Sequence, residues 1–69
     1  MNKLYETNEL RNFITFMHEK GVSYGNMSNS SGMSVSALSA FLNNNTEPLW
    51  RTKVKLVEMI ENDFPMFLE

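Results

Sequence analysis

Apolar residues recur with a helical period in three stretches of this chain. Leu10, Phe13, Ile14 and Met17 stand at i, i+3, i+4 and i+7, the stripe of an amphipathic helix. Thr7 is the expected N-cap, with Glu9 near the positive end of the helix dipole. Gly21 closes this first helix; Met17 and Val22 then occupy the two positions that touch in a Schellman stop. Residues 1–6 read as a lead-in from which Leu4 and Tyr5 can pack on the domain.

Ser23 caps a second helix running to about Ser31, which buries chiefly Met27. Gly25, two Asn and three Ser give it poor intrinsic propensity, so only tertiary packing can hold it. Gly32 supplies a left-handed turn residue, and Ser34 caps a third helix. The inner face of that helix is Ala37, Leu38, Phe41 and Leu42; its outer face is Val35, Ser36, Ser39, Ala40 and Asn43. A polar exit loop follows over residues 43–46, and Pro48 lies in or just before the first turn of a fourth helix.

Trp50, Val54, Val57, Ile60 and Phe64 line one face of the fourth helix, with Leu49 and Leu56 widening it, and Trp50 is expected in the core. Lys53 projects into the same arc, which requires its stem to snorkel or the helix to start later. Pro65 ends the helix, leaving an apolar tail that folds back over the core edge or joins two copies through Phe67 and Leu68. The expectation is a single all-α domain over residues 1–69, four helices with a helix-turn-helix at residues 23–43.

Composition sharpens this picture. Sixty-nine residues without cysteine cannot be stapled by disulfides or a thiolate metal site, so stability rests on close helix packing or a partner. No apolar run approaches a membrane span of roughly 20 residues, and no secretion leader is apparent, which makes the cytoplasm the expected compartment. From Val22 to Thr46 there is no Lys, Arg, Asp or Glu. Lys3, Arg11 and Lys20 balance Glu6, Glu9 and Glu19, so the acidic excess falls on residues 47–69. A protein gripping phosphates shows the opposite balance.

With Gly32 as the turn glycine, Tyr24 opens the motif, Met27, Met33, Leu38 and Phe41 fill its apolar places, and Ser28 takes the small one. In these residues the chain resembles the Cro/repressor helix-turn-helix family of temperate phages and mobile elements, over about residues 7–64. It departs from that pattern at Ser28, where Ala is common, at Ser31, where an apolar residue is usual, and in lacking a Gly after the third helix. The resemblance implies base-reading positions at Ser34, Val35, Ser36 and Ala40, with Tyr24 and Asn26 near the DNA backbone. Of these, only the serines can hydrogen-bond to base edges, and weakly; Val35 and Ala40 can touch thymine methyls. Phosphate or rim contacts fall to Lys20, Arg51, Lys53 and Lys55.

The chain is similar, more narrowly, to the small phage antirepressors, or modulators of repression, which are helix-turn-helix proteins that bind a repressor. That resemblance implies a face of Tyr24, Asn26, Ser34, Val35, Ser36, Ser39, Ala40 and Asn43 set against a repressor protein. Cro-like binding of double-stranded operator DNA, as a dimer, is the alternative, and a plain assembly module a third reading. Tyr5, Tyr24 and Phe67 are candidate aromatic anchors. His18 reads as a cation at a helix C-terminus, and Glu58, Glu61 and Asp63 as a solvated face or, less simply, as phosphate mimics. No nucleophile–base pair, phosphate-cradling loop or carboxylate dyad points to an enzyme, and no cofactor or metal is expected.

Overall fold

A computed structural model describes residues 3–44 and 47–68. The chain is all-helical: α1 spans Thr7–Glu19, α2 Tyr24–Ser31, α3 Val35–Asn43 and α4 Trp50–Asp63, with 3-10 turns at Lys3–Tyr5 and Pro65–Phe67. Asn45 and Thr46 of the expected exit loop lie outside the described residues, as do Met1, Asn2 and Glu69 at the ends of the lead-in and tail. Among the described residues no helix is long and apolar enough to cross a membrane.

The beginning of α1 differs from expectation. Glu6, with extended backbone, holds the cap position and makes no side-chain cap, while Thr7 is the first helical residue. The 3-10 turn is the cause: Glu6 N–H donates to the Lys3 carbonyl at 2.9 Å and Leu4 is buried, so the chain enters the helix one residue early. Leu10, Ile14 and Met17 are fully buried beneath it. Its end follows the Schellman pattern: Val22 N–H reaches the Met17 carbonyl at 3.1 Å and Gly21 N–H the His18 carbonyl at 3.0 Å. Gly21 takes φ +105° there, which L side chains rarely adopt.

Both serine caps form. Ser23 Oγ accepts from Asn26 N–H and Ser34 Oγ from Ala37 N–H, each at 3.1 Å. Between α2 and α3, Gly32 adopts the left-handed φ of +78°. The two serines that depart from the phage-family pattern close this turn. Ser28 Oγ donates to the Met33 carbonyl at 2.5 Å, and Ser31 Oγ accepts from Met33 N–H at 3.2 Å. Both backbone polar groups of Met33 are thus satisfied by side chains, which an Ala and an apolar residue could not do.

The buried arc of α4 is Lys53, Leu56, Val57 and Ile60, with Met59 on its flank. The expected position of Trp50 in the core is therefore incorrect: it is 58% exposed and stacks on Tyr5 with ring centroids 4.8 Å apart. The stripe begins at Lys53, three residues later, because α2 packs against α4 on one side and α1 with its 3-10 turn on the other. Lys53 is only 8% exposed; its stem completes the arc while its ammonium pairs with Glu47. Pro65 starts the final 3-10 turn, and the half-buried Phe67 meets Phe16 edge-on at 5.9 Å, so the tail folds back onto α1. Leu4, Leu10, Ile14, Met17, Met27, Leu38, Phe41, Leu56, Val57, Met59 and Ile60 form one core.

Candidate functional site

The outward face of α3 is uncharged because the chain supplies no Lys, Arg, His, Asp or Glu between residues 22 and 46. Ser34, Val35, Ser36, Ser39, Ala40 and Asn43 are all exposed, Val35 at 48%, and Asn26 of α2 is exposed as well. Among these, Ser39 and Asn43 are coupled, one turn apart, by a 3.1 Å bond from Asn43 Nδ2 to Ser39 Oγ. Ser34 accepts the cap bond on one oxygen lone pair, which leaves its hydroxyl hydrogen and a second lone pair for a partner.

The structure gathers four of the candidate residues, Tyr24, Val35, Ser39 and Asn43, around a shallow groove also lined by Thr15 and Leu42. Tyr24 is half-buried rather than a free anchor, because the His18 ring lies against it at 4.0 Å and nearly parallel. His18 is oriented in turn by a 3.1 Å contact between Nδ1 and the Val22 carbonyl. The Schellman stop of α1 thereby sets the position of an aromatic wall on the α3 face. Thr15 and Leu42 were not expected here: Thr15 lies off the apolar stripe of α1, and Leu42, assigned to the inner face, is half-buried and turns to the groove. Only the tertiary fold brings Thr15 of α1 and Leu42 of α3 to one groove, and no local spacing signals that.

On its other flank α3 borders a second groove, where Met33, Ala37, Ala40 and Phe41 face Pro48, Leu49 and Thr52. The wall beyond α3 is held by two anchors, Arg11 and the Glu47–Lys53 ion pair. Arg11 of α1 donates from Nε to the Phe41 carbonyl at 2.8 Å and from its terminal nitrogen to the Asn44 carbonyl. Its guanidinium also lies 5.4 Å from the Phe41 ring centroid. A cation at the C-terminal carbonyls of α3 does the work that a stop glycine does elsewhere, which accounts for the missing Gly.

Glu47 is the second anchor of that wall, accepting the Thr7 hydroxyl at 2.6 Å and pairing with Lys53. The Lys53 ammonium, then the Thr7 hydroxyl, hold its carboxyl below the usual carboxylate range. Lys53 was expected as a phosphate or rim contact; the structure contradicts that, because the side chain is buried and its charge is spent on Glu47. Lys20, Arg51 and Lys55 remain exposed, Lys20 with its ammonium 5.6 Å from the Phe16 centroid. Tyr5 is likewise half-buried against Trp50, and Phe67 against Phe16.

Among the described residues no three His, Cys, Asp or Glu come together as a metal set. The chain matches no protein-family model, no curated protein and no solved structure.

Proposed function

We propose that this chain is a small helix-turn-helix regulator of a phage or mobile-element switch. It acts in the bacterial cytoplasm by binding a DNA-binding repressor and masking that protein's operator contacts. The observation that carries the reading is the exposed, uncharged face of α3, with Val35, Ser36, Ser39 and Ala40 beside the Tyr24 groove. Desolvating methyls and hydroxyls costs far less than desolvating charges, and charge-poor centres with aromatic walls are what protein–protein patches present.

The same face is poorly equipped for DNA. Of the four cations expected to reach phosphates, Lys53 is engaged internally, leaving Lys20, Arg51 and Lys55. Three phosphate contacts would give a salt-dependence slope of only about −2.7, a weak hold at cellular salt.

The test is co-purification with the repressor encoded beside this gene. Val35→Glu and Ala40→Arg each place a charge in the contact and are expected to abolish capture, while far-UV circular dichroism stays helical. Capture unchanged by both substitutions overturns the reading. A mobility shift of operator DNA by this protein alone, with a steep salt slope, would replace it with Cro-like operator binding.

A further inference from the structure

The outward face of α4 is divided by charge, and along one edge, at Lys55, Glu58, Asn62 and Asp63, it borders Ser30 and Ser31 at the end of α2. Arg51, Lys55, Glu58 and Asn62 form one exposed stripe at i, i+4, i+7 and i+11, with exposed Asp63 at its end. Its N-terminal half is cationic and its C-terminal half acidic. Lys55 and Glu58 are in no ion pair with any described residue. Exposed apolar side chains stand at both ends: Leu49 at 66% and Trp50 before the stripe, Met66 at 62% and Leu68 beyond it.

We propose that this face is the interface of a homodimer in which two copies of α4 pack antiparallel. A two-fold axis midway between Lys55 and Glu58 sets Lys55 of each copy opposite Glu58 of its partner and Arg51 opposite Asn62. A 14-residue helix is about 21 Å long, so the same pairing brings Leu49 and Trp50 of one copy alongside the Pro65–Leu68 turn of the other. An isologous contact must be self-complementary, and this stripe is, in charge at its centre and in apolarity at its ends. A uniformly anionic surface would attract Arg51 and Lys55 but repel Glu58 and Asp63, which favours a second copy over nucleic acid or lipid. The apolar ends supply affinity, while the paired charges fix orientation and register. Such a dimer displays two α3 faces, but the inference rests on α4 alone and stands or falls separately from the function proposed above.

Sedimentation equilibrium at low salt tests it, with Lys55→Glu and Glu58→Lys as the variants. The unmodified chain is expected to be in monomer–dimer exchange. Each reversal turns two attractive pairs into two repulsive ones and weakens self-association about tenfold. An equimolar mixture restores association, because every position opposite the axis is again oppositely charged; that recovery also shows both variants folded. Three results would each overturn the proposal: a monomer up to millimolar concentration, reversals that leave association unchanged, or a mixture no stronger than its components. Leu49→Ser with Met66→Ser, both at exposed positions, is expected to leave helicity intact and yield monomer; a persisting dimer would place the interface elsewhere.

Discussion

Arg11→Ala removes a guanidinium that ties α1 to the end of α3. The bond from Nε to the Phe41 carbonyl is partly buried at 2.8 Å, and the one to the Asn44 carbonyl is exposed. Charge-assisted bonds contribute about 1.5–3 kcal/mol when desolvated, so half-burial reduces the first to about 1–1.5 kcal/mol and exposure the second to about 0.5 kcal/mol. The contact with the Phe41 ring adds about 0.5 kcal/mol at a half-exposed site. Together these predict a loss of about 2–2.5 kcal/mol. A domain of this size has a total stability of about 3.5–10 kcal/mol, so the loss is a large fraction. Urea denaturation followed by circular dichroism reads it directly: with a slope near 1 kcal/mol/M the midpoint falls by about 2 M. Arg11→Lys keeps the charge without the fork and should recover less than half of the loss. A shift below about 0.5 kcal/mol for Arg11→Ala would refute the assignment of this side chain as the stop of α3.

Gly32→Ala forces a Cβ into φ +78° and is expected to cost about 1 kcal/mol by urea denaturation, although the Cβ meets no atom within 4 Å. Met27→Ala empties a fully buried site and should cost about 2–4 kcal/mol, enough to leave the weak helix α2 without its anchor. Glu47 has its carboxyl pKa lowered in the folded state, so its contribution is fully present above the ordinary value of 4.5 and is lost as pH falls through the folded value. Glu47→Gln should therefore remove part of the stability difference between neutral pH and acid pH below 4.5, measured as thermal midpoint against pH, and change little of the acid-side value. At concentrations where the chain is monomeric, Trp50 fluorescence should be red-shifted and readily quenched by acrylamide; a blue-shifted, shielded spectrum there would restore it to the core.

The features legible in the sequence are those set within one or two turns of chain. Ser23 and Ser34 cap at i+3, Gly21 and Gly32 carry positive φ, and Leu10, Ile14 and Met17 keep the helical period, because each rule relates residues a few positions apart. The cap of α1 shifts to Glu6 because of a local 3-10 turn, whereas other features depend on partners far along the chain. Thr7 bonds Glu47, 40 residues away, and Arg11, which enters the sequence reading only in the charge balance, closes a helix 30 residues away. Trp50 looks like the start of a buried stripe; α4 instead begins its stripe with the stem of Lys53, a choice that hydropathy alone cannot reveal. The candidate face shows the same division. Its lack of charge is plain in the composition, whereas the groove that adds Thr15 and Leu42 exists only once the fold brings Thr15 of α1 near α3.

Long-range pairing also bears on the function. Arg11 and Lys53 are two of six cations in the chain, and the fold commits both to holding the segment that joins α3 to α4. Releasing either toward a phosphate would unpin the Phe41 and Asn44 carbonyls or leave Glu47 without its counter-ion, so a polyanion must compete with the domain's own stability. A neutral protein surface makes no such demand on these side chains: it can close over Val35, Ser36, Ser39 and Ala40 while the anchors beneath stay engaged. On the reading proposed above, Arg11 and Lys53 stay committed to the segment between α3 and α4, and the outward face of α3 meets its partner without their charge.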